Sequence, residues 1–207
     1  MIAIVDYNAG NLTSVLLALE HLGVEAKITQ DSGEIARAER VIFPGVGAAK
    51  SAMFNINALG LAETLNTVVK RGTPFLGICL GTQIIFERSA EDNGVDCIGL
   101  IPGKVRRFKP ADRMCKIPQI GWNTVMFKRE HPLFAGIEDE SEFYFVHSYY
   151  CAPSDDSYVV GATEYAGVEF ASAVGKGNLF ATQFHPERSG RIGMQLLKNF
   201  SEWDGKC

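Results

Sequence analysis

The chain has 207 residues, 46% apolar and 21% charged, which excludes a disordered chain and predicts one domain spanning 1–207. Its 20 Lys and Arg against 24 Asp and Glu leave a net charge of −4, so charge gives no reason to expect nucleic acid or an anionic membrane as partner. No apolar run approaches the roughly 18 residues of a membrane helix.

Residues 2–6 predict a short apolar strand, 7–11 a turn, and 12–22 a helix with a stripe of Val15, Leu16, Leu19 and Leu22, stopped at Gly23. Residues 24–29 and 40–43 predict strands, the second running into Pro44-Gly45-Val46-Gly47. Residues 49–69 predict a helix broken at Gly60 and stopped by Gly72. Residues 74–78 predict a buried strand that passes directly into a helix from 80 to about 88. Strand and helix in alternation imply a parallel sheet covered on both faces. The second half predicts shorter strands at 105–108, 123–127, 142–150, 158–163, 169–174 and 178–184, with turns at Ala166-Gly167 and 175–178. A helix at 192–200 closes the chain.

The N-terminus carries no basic segment or cleavage site, so a cytoplasmic location is expected. The five cysteines, Cys79, Cys97, Cys115, Cys151 and Cys207, are odd in number and lack CxxC spacing, which argues against a disulfide framework or a zinc site. No metal site and no organic cofactor are expected.

Gly77-Ile78-Cys79-Leu80-Gly81 sits where the fourth strand becomes a helix. A residue at such a turn is pushed out at the carboxyl edge of the sheet, and flanking glycines permit the tight turn. The first turn of the helix offers free N–H groups to a thiolate, and the Leu80 N–H is placed to meet an oxyanion. Alone, the segment fits a buried structural cysteine equally well. A thiol nucleophile needs a base. His21 lies in a helical pattern, His131 in a turn, and His147 in an aromatic strand where a structural role is at least as good a reading. In Phe184-His185-Pro186-Glu187, proline favours extended geometry at His185, and residues i and i+2 then project to one side. Glu187 can thus orient the imidazole while its other nitrogen faces Cys79, an arrangement of nucleophile, base and orienter. Parallel strands end on the same edge, so Pro44-Gly45-Val46-Gly47 should lie nearby and offer Val46 or Gly47 as a second oxyanion donor.

These three segments, in this order, resemble the triad (class I) glutamine amidotransferases across essentially the whole chain. Within that family, Asp6-Tyr7-Asn8-Ala9-Gly10-Asn11, Gly121-Trp122-Asn123, Tyr144-Phe145-Val146-His147-Ser148-Tyr149 and Gln183-Phe184-His185-Pro186-Glu187-Arg188-Ser189 look most like the glutaminase subunits of imidazole glycerol phosphate synthases. The resemblance implies an α/β fold with a flavodoxin-like central, mixed, mostly parallel sheet flanked by helices and additional antiparallel strands in the second half. It implies glutamine hydrolysis by Cys79, His185 and Glu187, with an oxyanion held by Val46, Gly47 and Leu80. Gly45, Gln83, His147, Ser148 and Tyr149 would contact the glutamine substrate. The implied partner is a β/α barrel cyclase subunit, forming a heterodimer, with Asn11, Trp122, Asn123, Tyr144 and Arg188 as candidates for the docking face. Thr82, where Met is common, and Tyr150 depart from the family pattern. They leave open the same chemistry feeding another acceptor, such as a surface sugar. A stand-alone cysteine hydrolase is a third reading.

Overall fold

A computed structural model of the chain describes residues 1–8, 11–112 and 114–206. Ala9, Gly10 and Cys207, singled out above, lie outside the described residues. In chain order the first half comprises β1 (Ile2–Val5), α1 (Leu12–His21), β2 (Ala26–Thr29), α2 (Ser32–Arg37), β3 (Arg40–Gly45), α3 (Ala49–Ala58), α4 (Leu61–Lys70), β4 (Phe75–Cys79) and α5 (Leu80–Ile84). The second half comprises β5 (Arg88–Ser89), β6 (Val95–Asp96), β7 (Gly103–Arg107), β8 (Gln119–Phe127), β9 (Ser141–His147), β10 (Tyr149–Pro153), β11 (Val159–Tyr165), β12 (Val168–Lys176), β13 (Leu179–Thr182) and α6 (Gly190–Glu202).

The central sheet runs β2-β1-β3-β4-β13, all parallel, and continues through antiparallel β12 to β10, β7, β5 and β6. A branch leaves β12 through β11 and β8 to β9. The expected mixed, mostly parallel centre with antiparallel additions is what forms. Its strands alternate between two cores. Ala3, Val5, Val41, Phe43 and Phe75 pack with Ile56, Leu65 and Val68 of α3 and α4. Ile2, Ile4, Ile42, Leu76 and Ile78 pack with Val15 and Leu19 of α1 and Leu196 and Phe200 of α6. Both faces are covered, which is why the strands read as continuous apolar runs.

The glycine punctuation holds where predicted. Gly60 separates α3 from α4 at φ 67°. Ala166 and Gly167, at φ 56° and 72°, form the two-residue turn joining β11 to β12.

Several elements differ from expectation: the short strands β5 and β6 are additional, β8 begins at Gln119 rather than at 123, and three further differences have a visible cause. The helix predicted to reach about residue 88 stops at Ile84. The chain there is captured by the second half: Leu100 and Ile101 donate to the Ile85 carbonyl, and Gly103 N–H donates to the Glu87 carboxylate at 2.8 Å. The predicted strand 142–150 is two strands broken at Ser148, because β9 pairs with β8 while β10 pairs with β7. Helix α2 was not predicted. Its cap, Asp31 accepting from the Glu34 N–H at 2.7 Å, is a readable signal in a short segment.

His131 is buried and accepts the Leu133 N–H at Nδ1, 3.1 Å away. Burial, with Arg129 nearby, pushes its pKa down to about 4. The unfolded chain takes up this proton below about pH 6.5 and the folded chain does not until about 4, so stability is lost as pH falls through that window. The loss should reach about 3 kcal/mol. Denaturant melts at pH 7 and pH 4.5 should show it, and His131→Phe should shrink the difference.

Candidate active site

Cys79 ends β4 and precedes α5, with φ 54° and ψ −108°. A non-glycine residue at such a φ is strained, and the surrounding packing holds it there. A Cβ on Gly81 would collide with the Phe43 carbonyl oxygen, and one on Gly77 would come 2.9 Å from Ala181 Cβ. Only glycine lets α5 fold back this closely onto the sheet. Cys79 is 6% exposed and lies on the wall of a cavity of about 390 Å³.

His185 follows β13, adjacent to β4 in the sheet. Its N–H donates to the Tyr144 carbonyl at 2.9 Å. The Ser189 hydroxyl donates to the His185 carbonyl at 2.6 Å and accepts the Tyr144 N–H at 3.0 Å. The single turn of 3₁₀ helix at Pro186–Arg188 then places Glu187 Oε1 2.7 Å from His185 Nδ1. Both side chains are 2% exposed. With Nδ1 occupied, Nε2 is the nitrogen left to face Cys79. Burial opposes charge on this imidazole, but Cys79 and Glu187 beside it outweigh burial and push its pKa up to about 10. The arrangement favours an imidazolium held between a carboxylate and the sulfur.

The other expected residues fall into three groups. Gly45 pairs with Cys79 across β3 and β4, and a side chain there would overlap the Tyr7 hydroxyl. The cavity wall continues through Val46, Gly47, at φ 103°, and Leu80, the first residue of α5. Gln83, His147, Ser148 and Tyr149 also line the cavity. The Gln83 NH₂ is committed to the protein, donating to the Tyr149 carbonyl and to Gln183 Oε1, both at 3.1 Å. The His147 ring is also engaged, with Nδ1 2.7 Å from the Tyr149 carbonyl and Nε2 3.0 Å from the Gln119 side chain. Burial pushes its pKa down to about 4, so it is neutral.

Of the five residues expected at a docking face, three cluster. Arg188 lies over the Tyr144 ring at 4.6 Å, and Trp122, 54% exposed, meets that ring edge-on at 6.0 Å. Asn123 turns away to donate to the Glu164 carbonyl at 3.0 Å. Asn11 accepts the Ser14 hydroxyl at 2.7 Å at the start of α1.

Sequence reasoning missed Glu91 and Gln183. Glu91 brings a carboxylate to the cavity wall and accepts the Ala49 N–H at 2.6 Å. Nothing in its local sequence marks it. Gln183, two residues before His185, is fully buried beside Cys79. The departure Thr82 is absorbed structurally, donating to the Thr182 carbonyl at 2.6 Å. A larger cavity of about 740 Å³, bounded by Lys128, Arg129 and His131, shares no lining residue with this one. Among the described residues no cluster of three or more His, Cys, Asp or Glu side chains could hold a metal ion, and no helix is long and apolar enough to cross a membrane.

Histidine NMR should separate these rings. The His185 resonance should stay in its charged form to about pH 10 and fall in Glu187→Gln, while His147 should stay neutral down to about pH 4. A His185 ring already neutral at pH 7.5 would contradict the arrangement.

The family model for glutamine amidotransferase class-I matches residues 3–203. The chain is 50% identical over 201 residues to imidazole glycerol phosphate synthase subunit HisH of Moorella thermoacetica, covering 97% of this chain and 94% of that protein. It is 49% identical over 210 residues to imidazole glycerol phosphate synthase subunit HisH 1 of Pseudomonas aeruginosa, covering 99% and 98%. A solved glutamine amidotransferase shares the fold at a TM-score of 0.76 and 17% identity, over 99% of this chain and 100% of that one. With its sheet, its elbow cysteine and its buried histidine–glutamate pair, this chain belongs to the class I glutamine amidotransferases.

Proposed function

We propose that this chain, acting as one domain in the cytoplasm, supplies ammonia as the glutaminase half of an imidazole glycerol phosphate synthase. The observation that carries the chemistry is the His185 imidazole, bonded to Glu187 at 2.7 Å and facing Cys79 at the wall of an amino-acid-sized cavity. Cys79 sulfur attacks the side-chain amide carbon of glutamine. The resulting oxyanion is met by N–H groups of Leu80 and of Val46 or Gly47. His185 protonates the departing ammonia, leaving a γ-glutamyl thioester on Cys79. It then takes a proton from water, which attacks the thioester and releases glutamate, restoring the Cys79 thiolate beside a protonated His185. Glu187 keeps Nδ1 protonated throughout, so that Nε2 does the transfer.

Glutamine is a zwitterion at its α-carbon. Glu91 is the carboxylate on the cavity wall and suits its ammonium end, while the backbone of His147, Ser148 and Tyr149 borders the remainder. Free ammonia is protonated in water and is then no nucleophile, so its release must be shielded and delivered to a partner. Exposed Ile120 and Trp122, with Tyr144 and Arg188, form an apolar and cationic patch near the cavity suited to that partner, a β/α barrel cyclase. Delivered to the cyclase's ribulosyl-formimino aminoimidazole carboxamide nucleotide, the ammonia yields imidazole glycerol phosphate and an aminoimidazole carboxamide ribotide.

Cys79→Ala in the complex with the cyclase should lower glutamine hydrolysis by about 10⁴-fold or more while leaving complex formation intact. Hydrolysis persisting near the parent rate would remove Cys79 as the nucleophile. Glu91→Gln should raise KM for glutamine by about tenfold with a smaller change in kcat, the loss expected for one charged contact to the substrate. An unchanged KM would take Glu91 out of the substrate site.

A further inference from the structure

Besides His185, the Cys79 sulfur has two polar neighbours: the Val146 carbonyl, an acceptor at 4.0 Å, and Gln183, which donates. Gln183 is fully buried, and its Nε2 lies 3.8 Å from Cys79 Sγ. The direction of this contact is fixed by a chain of amides. The Tyr149 carbonyl can only accept, so the Gln83 group 3.1 Å from it is the NH₂ end. The second hydrogen of that NH₂ goes to Gln183 Oε1, at 3.1 Å. With its oxygen turned to Gln83, Gln183 presents its own NH₂ end to the sulfur. Cys151 Sγ, 4.0 Å from Gln183 Oε1, completes the surroundings of that oxygen. The backbone holds the residue in place, since the Gln183 N–H donates to the Ser172 carbonyl at 2.8 Å.

We propose that Gln183 is a positioning residue for the nucleophile: its side-chain N–H donates to the Cys79 sulfur, stabilising the thiolate and aiming it into the cavity. The inference rests on the assignment of Cys79 as the glutaminase nucleophile. An N–H donor favours the charged form of its acceptor, and the effect is stronger where water is excluded. The chain Tyr149 carbonyl, Gln83, Gln183, Cys79 also ties the substrate-facing strand β10 to the nucleophile. A shift of Tyr149 on glutamine or partner binding would be felt at the sulfur. Gln83, both hydrogens of whose NH₂ are engaged in this chain, contributes through it.

The test uses the complex with the cyclase and follows iodoacetamide labelling of Cys79, resolved by peptide mass spectrometry, as a function of pH. Q183M removes the donor at similar volume. Its labelling curve should move to higher pH by about one pH unit, with kcat down about tenfold and KM within about twofold. Q183E keeps an acceptor for Gln83 but turns a negative oxygen to the sulfur, and should move the curve further in the same direction. Thermal melting identifies the folded variants, and either one suffices. A folded variant with the parent labelling curve overturns the role of Gln183. Cys79→Ala separates the two claims: if it abolishes hydrolysis while the Gln183 variants label like the parent, the nucleophile stands and the positioning role falls. If Cys79→Ala remains active, the nucleophile assignment itself fails.

Discussion

The site depends on one strained residue. Cys79 at φ 54° turns the chain from β4 into α5 within a single step, at a cost of order 1–3 kcal/mol in backbone strain. The turn survives because its neighbours lock it. Gly81 lies against the Phe43 carbonyl, Gly77 against Ala181, and Thr82 is tied to the Thr182 carbonyl at 2.6 Å. These contacts reach the two strands flanking β4, so the elbow is fixed by the sheet rather than by the short helix after it. The same geometry delivers the sulfur to the carboxyl edge, where open α/β sheets place their sites.

The two flanking strands deliver the rest. Strand β3 ends at Gly45, directly beside Cys79, and hands on the Val46-Gly47 loop. Strand β13 leads to His185, whose backbone is clamped by Tyr144 and Ser189, and on to Glu187. Cys79, the Val46-Gly47 loop and His185 thus follow from three adjacent parallel strands. The cavity wall from His147 to Tyr149, with Glu91, comes from the second half of the chain. The break at Ser148 that separates β9 from β10 exposes the Ser148 and Tyr149 segment to the cavity. His147 serves that break as a neutral structural ring bonded to the Tyr149 carbonyl at 2.7 Å.

The sequence made the parallel half legible because its signals are local. Apolar strand, glycine stop and helical stripe recur in register, and the elbow and His185-Pro186-Glu187 each fit within five residues. The end of α5 was not legible, because Ile84-Ile85-Phe86 continues an apolar helical pattern while its backbone is claimed by residues 98–101. Glu91 and Gln183 were missed for the same reason. Each is held at the cavity through a partner distant in sequence, Ala49 for one and Gln83 with Cys79 for the other. The docking residues were half legible: strand alternation puts Trp122 on the exposed face and turns Asn123 from it.

The most direct test is the glutaminase rate of the purified chain, first alone and then with the barrel cyclase and its nucleotide ligand. The expected result is weak hydrolysis alone and strong stimulation by the liganded cyclase, with ammonia appearing in imidazole glycerol phosphate rather than in solution. Full activity without the partner, or no stimulation by the cyclase while Cys79 still reacts with a glutamine-analogue alkylator, would contradict the assignment to this synthase.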